Sequence, residues 1–160
     1  MSEETLFQQF SFVRNHTLQH FDSLTEEVAD QIPAGFRNNI RWNLGHIYVS
    51  LEGFLAVTTG QPANYPDGFA DFFKGGSKPT DWTAEPPSLR TLKTLLEEQV
   101  GRVTDMLTGR LEEPLSKPFS LGGGRLVLNT MGEVLGFTLY HEGYHLGAIS
   151  GLLRGIEGTR

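Results

Sequence analysis

Four stretches of this 160-residue chain repeat their apolar residues at three- and four-residue steps, with Gly- and Pro-rich segments between them. That period marks helices with one buried face, so the chain must pack helix against helix. The first stretch runs from about Glu3 to Gln31, with Phe10, Val13, Thr17, Phe21, Leu24 and Val28 in one stripe; Pro33 and Gly35 end it. The second runs from about Arg37 to Thr59 and stops at Gly60-Gln61-Pro62. Ile40, Leu44, Ile47, Leu51 and Leu55 form its main stripe, and Trp42, Val49 and Phe54 leave it apolar on other sides too. The third starts with Ser88 as N-cap after Pro86-Pro87 and repeats Leu89, Leu92, Leu96, Val103 and Leu107 up to Gly109. The fourth begins near Asn129 or Thr130, where Glu133 completes a capping box, and reaches about Arg154.

The connections carry their own signals. Between Gln61 and Pro87 the chain is rich in Gly and Pro but also holds Tyr65, Phe69, Phe72, Phe73 and Trp82. Structureless loops of that length are unusual inside a domain and often serve as lids; a short helical turn over Asp67 to Phe73 and aromatics pinning the crossover to the helices are expected here. Phe119-Ser120-Leu121 and Leu126-Val127-Leu128 read as two strands around the turn Gly122-Gly123-Gly124. The same glycines fit a phosphate cradle poorly, since neither a following Lys-Ser/Thr nor a G-x-G-x-x-G spacing is present.

Composition narrows the function classes. A chain of this length suits one domain, residues 1–160. The net charge of -6 argues against sequence-independent nucleic-acid binding. No apolar run approaches the roughly 20 residues that cross a bilayer, and the acidic start Met1-Ser2-Glu3-Glu4 lacks the features of a signal peptide. A cytoplasmic location is expected. With no cysteine in the chain, any metal must be held by His, Asp or Glu, and any thiol chemistry must use a thiol brought by the substrate.

The fourth stretch holds the strongest chemical signal. His141 and His145, four apart, share a face with Val134, Thr138, Ala148 and Leu152, within about 40° of its centre. Imidazoles in a core stripe must satisfy their ring nitrogens, and a divalent ion would do so. The letters His141-Glu142-Gly143-Tyr144-His145 also spell the H-E-x-x-H of zinc proteases. That motif needs a further ligand downstream, and the longer form would need glycine and histidine where the chain has Ala148 and Gly151. Glu157 is the only later carboxylate, so the protease reading fails for want of a ligand. Gly136, Gly143, Gly147 and Gly151 fall on another side of this helix, which suits close packing against a helix of this chain or of a partner.

Other polar residues divide less clearly. His16 and His20 on the first helix fall beside Gln9, Ser23 and Glu27 and read as solvated. His46 lies more than about 100° from the main stripe of its helix, so periodicity alone does not turn it toward the core. Arg41 and Arg125 read as surface ion-pair formers, with the holding of a carboxylate substrate as the alternative. Glu142 reads either as a partner behind the histidines or as a solvated or intersubunit carboxylate.

Four long helices, the crossover, the hairpin, His46 within Asn43-Leu44-Gly45-His46-Ile47, and the run from His141 to Leu146 together resemble the DinB/YfiT-like superfamily over nearly the whole chain. The resemblance implies an all-α fold: an up-down-down-up four-helix bundle with a long crossover between the second and third helices and a short β-hairpin before the fourth. It implies a divalent-metal site with His46, His141 and His145 as ligands, Zn²⁺ or Ni²⁺ being the plausible ions. Homodimers are common in the superfamily. It also implies transfer of a low-molecular-weight thiol of the bacillithiol type to a small electrophile. A non-catalytic stress or interaction protein with a structural or vestigial site is the alternative, and metal-dependent hydrolysis the third.

Overall fold

The computed structural model describes residues 1–158 and is mostly helical, with one small antiparallel sheet. Helix α1 spans Glu3–Gln19, capped by the Ser2 hydroxyl, which accepts from the Thr5 amide. The expected first helix is longer than the observed one. A tight turn at His20–Asp22 interrupts it, and a short α2, Glu26–Asp30, restarts with Thr25 as N-cap. The cause is local: the Thr25 hydroxyl accepts from the Val28 amide, and Glu26 and Glu27 follow in the first turn, where negative charge favours a new helix start.

Helix α3, Ile40–Thr59, begins three residues later than its apolar pattern suggests, because the extended Asn39 caps it by accepting from the Trp42 amide. Gly60, in the left-handed region at φ 72°, ends it. The crossover contains α4, Phe69–Phe73, and a single turn at Pro79–Asp81. Phe69 and Phe73 are buried, and Phe69 meets Tyr48 of α3 edge to face, so the aromatics do pin this segment down. Helix α5, Leu89–Leu107, starts at the Ser88 cap. Strands β1, Pro114–Leu121, and β2, Leu126–Thr130, pair antiparallel, with Phe119 opposite Leu128. Gly122, Gly123 and Gly124 all take positive φ at the turn between them, and a strand, not the helix a phosphate cradle needs, follows directly. Helix α6, Met131–Glu157, opens with Thr130 and Glu133 in a complete capping box.

Each long helix packs against two others: α1 and α3 each contact both α5 and α6. The apolar interior divides in two. One cluster gathers Trp42, Leu44, Ile47, Tyr48, Phe73, Leu92, Leu96, Ile149 and Leu152, and the other Phe10, Leu51, Leu55, Val103, Leu107, Val134 and Leu135. Between them lies a polar layer of buried Arg14, Thr17, Gln99, Thr138, Glu142 and His145. No described helix is long and apolar enough to cross a membrane.

Candidate metal centre

Within this polar layer His46 of α3 meets His141 and His145 of α6. Their ring centroids lie 5.2 Å and 4.7 Å from that of His46, and 4.7 Å from each other. One nitrogen from each ring can be chosen so that all three lie within 4.8 Å of one another. His46 reaches the core after all, because α3 is buried on nearly every side and has no single inward face. Its ring stacks on Trp42 one turn earlier, with centroids 4.5 Å apart and planes 12° from parallel.

The hydrogen bonds fix which nitrogen of His46 and of His145 is free. The His46 Nδ1–H donates to the Phe73 carbonyl at 2.7 Å, since a carbonyl only accepts. His145 Nδ1 lies 2.8 Å from Asn43 Oδ1. The Asn43 amide is oriented by its own nitrogen, which donates to the Asn39 carbonyl at 2.7 Å, so His145 Nδ1 must carry the proton. Both rings are thereby left with an unprotonated Nε2, the arrangement in which a second partner orients a metal-ligating imidazole. The Ser50 hydroxyl lies beside His46, 3.2 Å from Nε2. His141 makes no hydrogen bond among the described residues; its ring meets Phe54 edge to face and lies tilted against Phe137.

The electrostatics keep the cluster neutral. Burial, then the neighbouring His46, lowers His141 to about 4; burial, then His46 and His141, lowers His145 to about 3. Burial also lowers His46, against the raising effect of the Phe73 carbonyl. Three neutral imidazoles that each offer a nitrogen within 4.8 Å of the other two are a donor set that could hold a divalent ion.

The remaining candidates fall elsewhere. Glu142 is buried on the α1 side, neither solvated nor behind a histidine; it accepts from Arg14 Nε at 2.8 Å, Arg14 Nη2 at 3.1 Å and Thr17 Oγ1 at 2.5 Å. Arg41 is not a surface residue. It is buried, tying Asp30 (2.6 Å) and Glu26 (2.6 Å) to the Pro87 carbonyl. Arg125 folds back on the Gly122 carbonyl in the hairpin turn. His16 is exposed and His20 half-buried, both on α1 or its end. Arg14 and Asn43 are the residues that pattern reading passed over. Arg14 stands four residues after Phe10 and three before Thr17, on the apolar stripe itself, and that position was the available signal.

The sequence profile described as the DinB superfamily matches residues 9–149. No curated protein matches the chain. A crystal structure described as a conserved protein from Enterococcus faecalis superposes with a TM-score of 0.69 at 14% identity, covering 99% of this chain and 98% of that one. At that identity the likeness speaks to fold alone.

Proposed function

The chain belongs to the DinB superfamily, and from that premise we propose that it holds a divalent ion, zinc or nickel, on His46, His141 and His145, through Nε2 of His46 and His145 and a ring nitrogen of His141, and transfers a low-molecular-weight thiol to a small electrophile. The observation that carries the reading is the convergence of three neutral imidazoles, two of them with the tautomer set by Phe73 and Asn43. When bound, the ion would lower the pKa of a coordinated thiol or water and leave positions open for it. The chain supplies the rest: Trp42 holds one face of His46, and Phe54 and Phe137 shield His141. Glu142 is fully engaged by Arg14 and Thr17, so the carboxylate nearest in sequence is not free to act as a base. That weighs against hydrolysis and toward a nucleophile brought in from outside.

The helices of this reading form an up-down-down-up bundle. In its support, α1 and α6 run from the Phe10 cluster toward the Ile149 cluster, while α3 and α5 run the other way. A homodimer across α6 is part of the same proposal: Gly136, Gly143 and Gly147 have nothing within 4 Å of an added Cβ, and Tyr140 and Tyr144 beside them are exposed. Low-molecular-weight thiols place such an activity in the cytoplasm.

Elemental analysis of protein purified without a metal-affinity tag provides the test. One ion per chain in the wild type, a marked loss in His46→Ala, and turnover of a generic electrophile that requires both thiol and His46 are expected. Wild-type protein that takes up no divalent ion refutes the metal reading; full turnover without thiol refutes the transfer.

A further inference from the structure

We infer that Arg14 and Glu142 are positioning residues, an internal clamp that sets the rotation of α6 and thereby aims His141 and His145 at His46. The inference rests on the metal reading above and concerns residues of the same layer other than the three ligands. Arg14 is 0% exposed and Glu142 3%, and each polar side-chain atom of the pair has a hydrogen-bond partner. Arg14 grips both carboxylate oxygens of α6, at 2.8 and 3.1 Å, and its Nη1 donates to the Leu96 carbonyl of α5 at 2.8 Å. Thr17, one turn further along α1, adds its hydroxyl to the same carboxylate at 2.5 Å. One side chain of α6 is thus fixed from α1 and, through Arg14, referenced to α5.

Rotation is the coordinate that matters for the ligands. Side chains reach about 5–6 Å from a helix axis, so a turn of about 10° sweeps an imidazole by about 1 Å. Metal–ligand distances tolerate only about 0.2 Å. The hydrophobic driving force is non-directional and does not by itself select one rotation of the helix. Glu142 lies about 100° around the helix from His141 and about 60° from His145, so a bidentate grip there fixes both rings at once. Stability alone does not call for a buried ion pair at this spot, because well-packed apolar side chains of similar volume often serve as well or better.

The decisive variant therefore replaces both partners, Arg14→Met with Glu142→Met, which leaves no unpaired charge. Its metal-free form is expected to melt within a few degrees of wild type, while its Kd for cobalt(II), read from the visible absorption of the bound ion, rises at least tenfold. A Kd within twofold of wild type overturns the inference. Arg14→Lys, which keeps the charge but loses the two-pronged grip, is the second variant should the first not fold: a several-fold weaker Kd supports the clamp, and an unchanged one overturns it. Wild-type protein that binds no cobalt defeats the metal reading instead. In that case NMR contacts among the His46, His141 and His145 rings of the metal-free proteins decide. Their loss in either variant supports the clamp, and their persistence overturns it.

Discussion

Gly45 sits in the second turn of α3, inside the helix, where a glycine ordinarily costs up to about 1 kcal/mol relative to alanine. Propensity alone therefore expects Gly45→Ala to stabilise the protein. The structure demands the opposite sign. A Cβ at Gly45 would lie only 2.4–2.6 Å from Cγ and both Cδ atoms of the Phe73 ring, and Phe73 is fully buried. The ring cannot swing into solvent without moving α4. Overpacking of this kind costs about 1–3 kcal/mol, which for a chain of this size lowers Tm by about 2–12 °C. Gly53→Ala in the same helix, where an added Cβ meets nothing within 4 Å, is the matched control and should raise Tm by about 1–4 °C. The Phe73 carbonyl also receives the His46 Nδ1–H, so displacing α4 should weaken metal binding about 10–100-fold. Thermal unfolding of the metal-free proteins and a cobalt titration read both effects. A Gly45→Ala protein as stable as the Gly53→Ala control would refute the close approach of α4 to α3.

Asn43→Ala removes the acceptor that fixes the His145 tautomer and should cost about 10–100-fold in cobalt affinity by titration, with His145 ¹⁵N shifts reporting the mixed tautomer. Thr130→Ala breaks the capping box of α6 and should cost about 0.5–2 kcal/mol in urea denaturation. The pH dependence follows from burial. His141 at about 4 and His145 at about 3 lie below the 6.5 of an unfolded histidine, so below that pH the unfolded chain takes up protons that the native state refuses. Metal-free stability should be flat above about pH 7 and fall as the pH drops from there toward 3. Replacing both residues with alanine should flatten that slope between pH 6.5 and 4; an unchanged slope would refute the assignment.

Capping chemistry made much of the fold readable from the residues. Ser88, Thr130 with Glu133, and Gly60 act locally, within four residues, and each stands where its motif put it. His141 and His145 were legible for the same reason, as an i, i+4 pair on a stripe. His46 was not, because a stripe identifies an inward face only when the opposite face is wet, and α3 is enclosed by α4, α5 and α6. The break after α1 was missed since Leu24 and Val28 continue the apolar period across it, although Thr25 with two glutamates after it carried the opposing signal. Glu142 left a solvated and a histidine-partnering role equally open, and Arg14 drew no reading at all; only their partnership across 128 residues makes burial tolerable, and no local pattern encodes that partnership.

The polar layer between the two apolar clusters has a consequence along the helix axes. Leucine-rich stripes can slide past one another by a turn, about 5.4 Å, with little change in what they bury. Such a slip would set Arg14 against Leu139 or Leu146 in place of Glu142, and Gln99 away from the Tyr48 carbonyl and Glu52. Each mismatch strands a buried polar group. The layer therefore works as a notch that admits one axial alignment, and the histidines sit at the height of the notch. Sequence drift in either apolar half can alter size and shape above or below without shifting the three rings relative to one another.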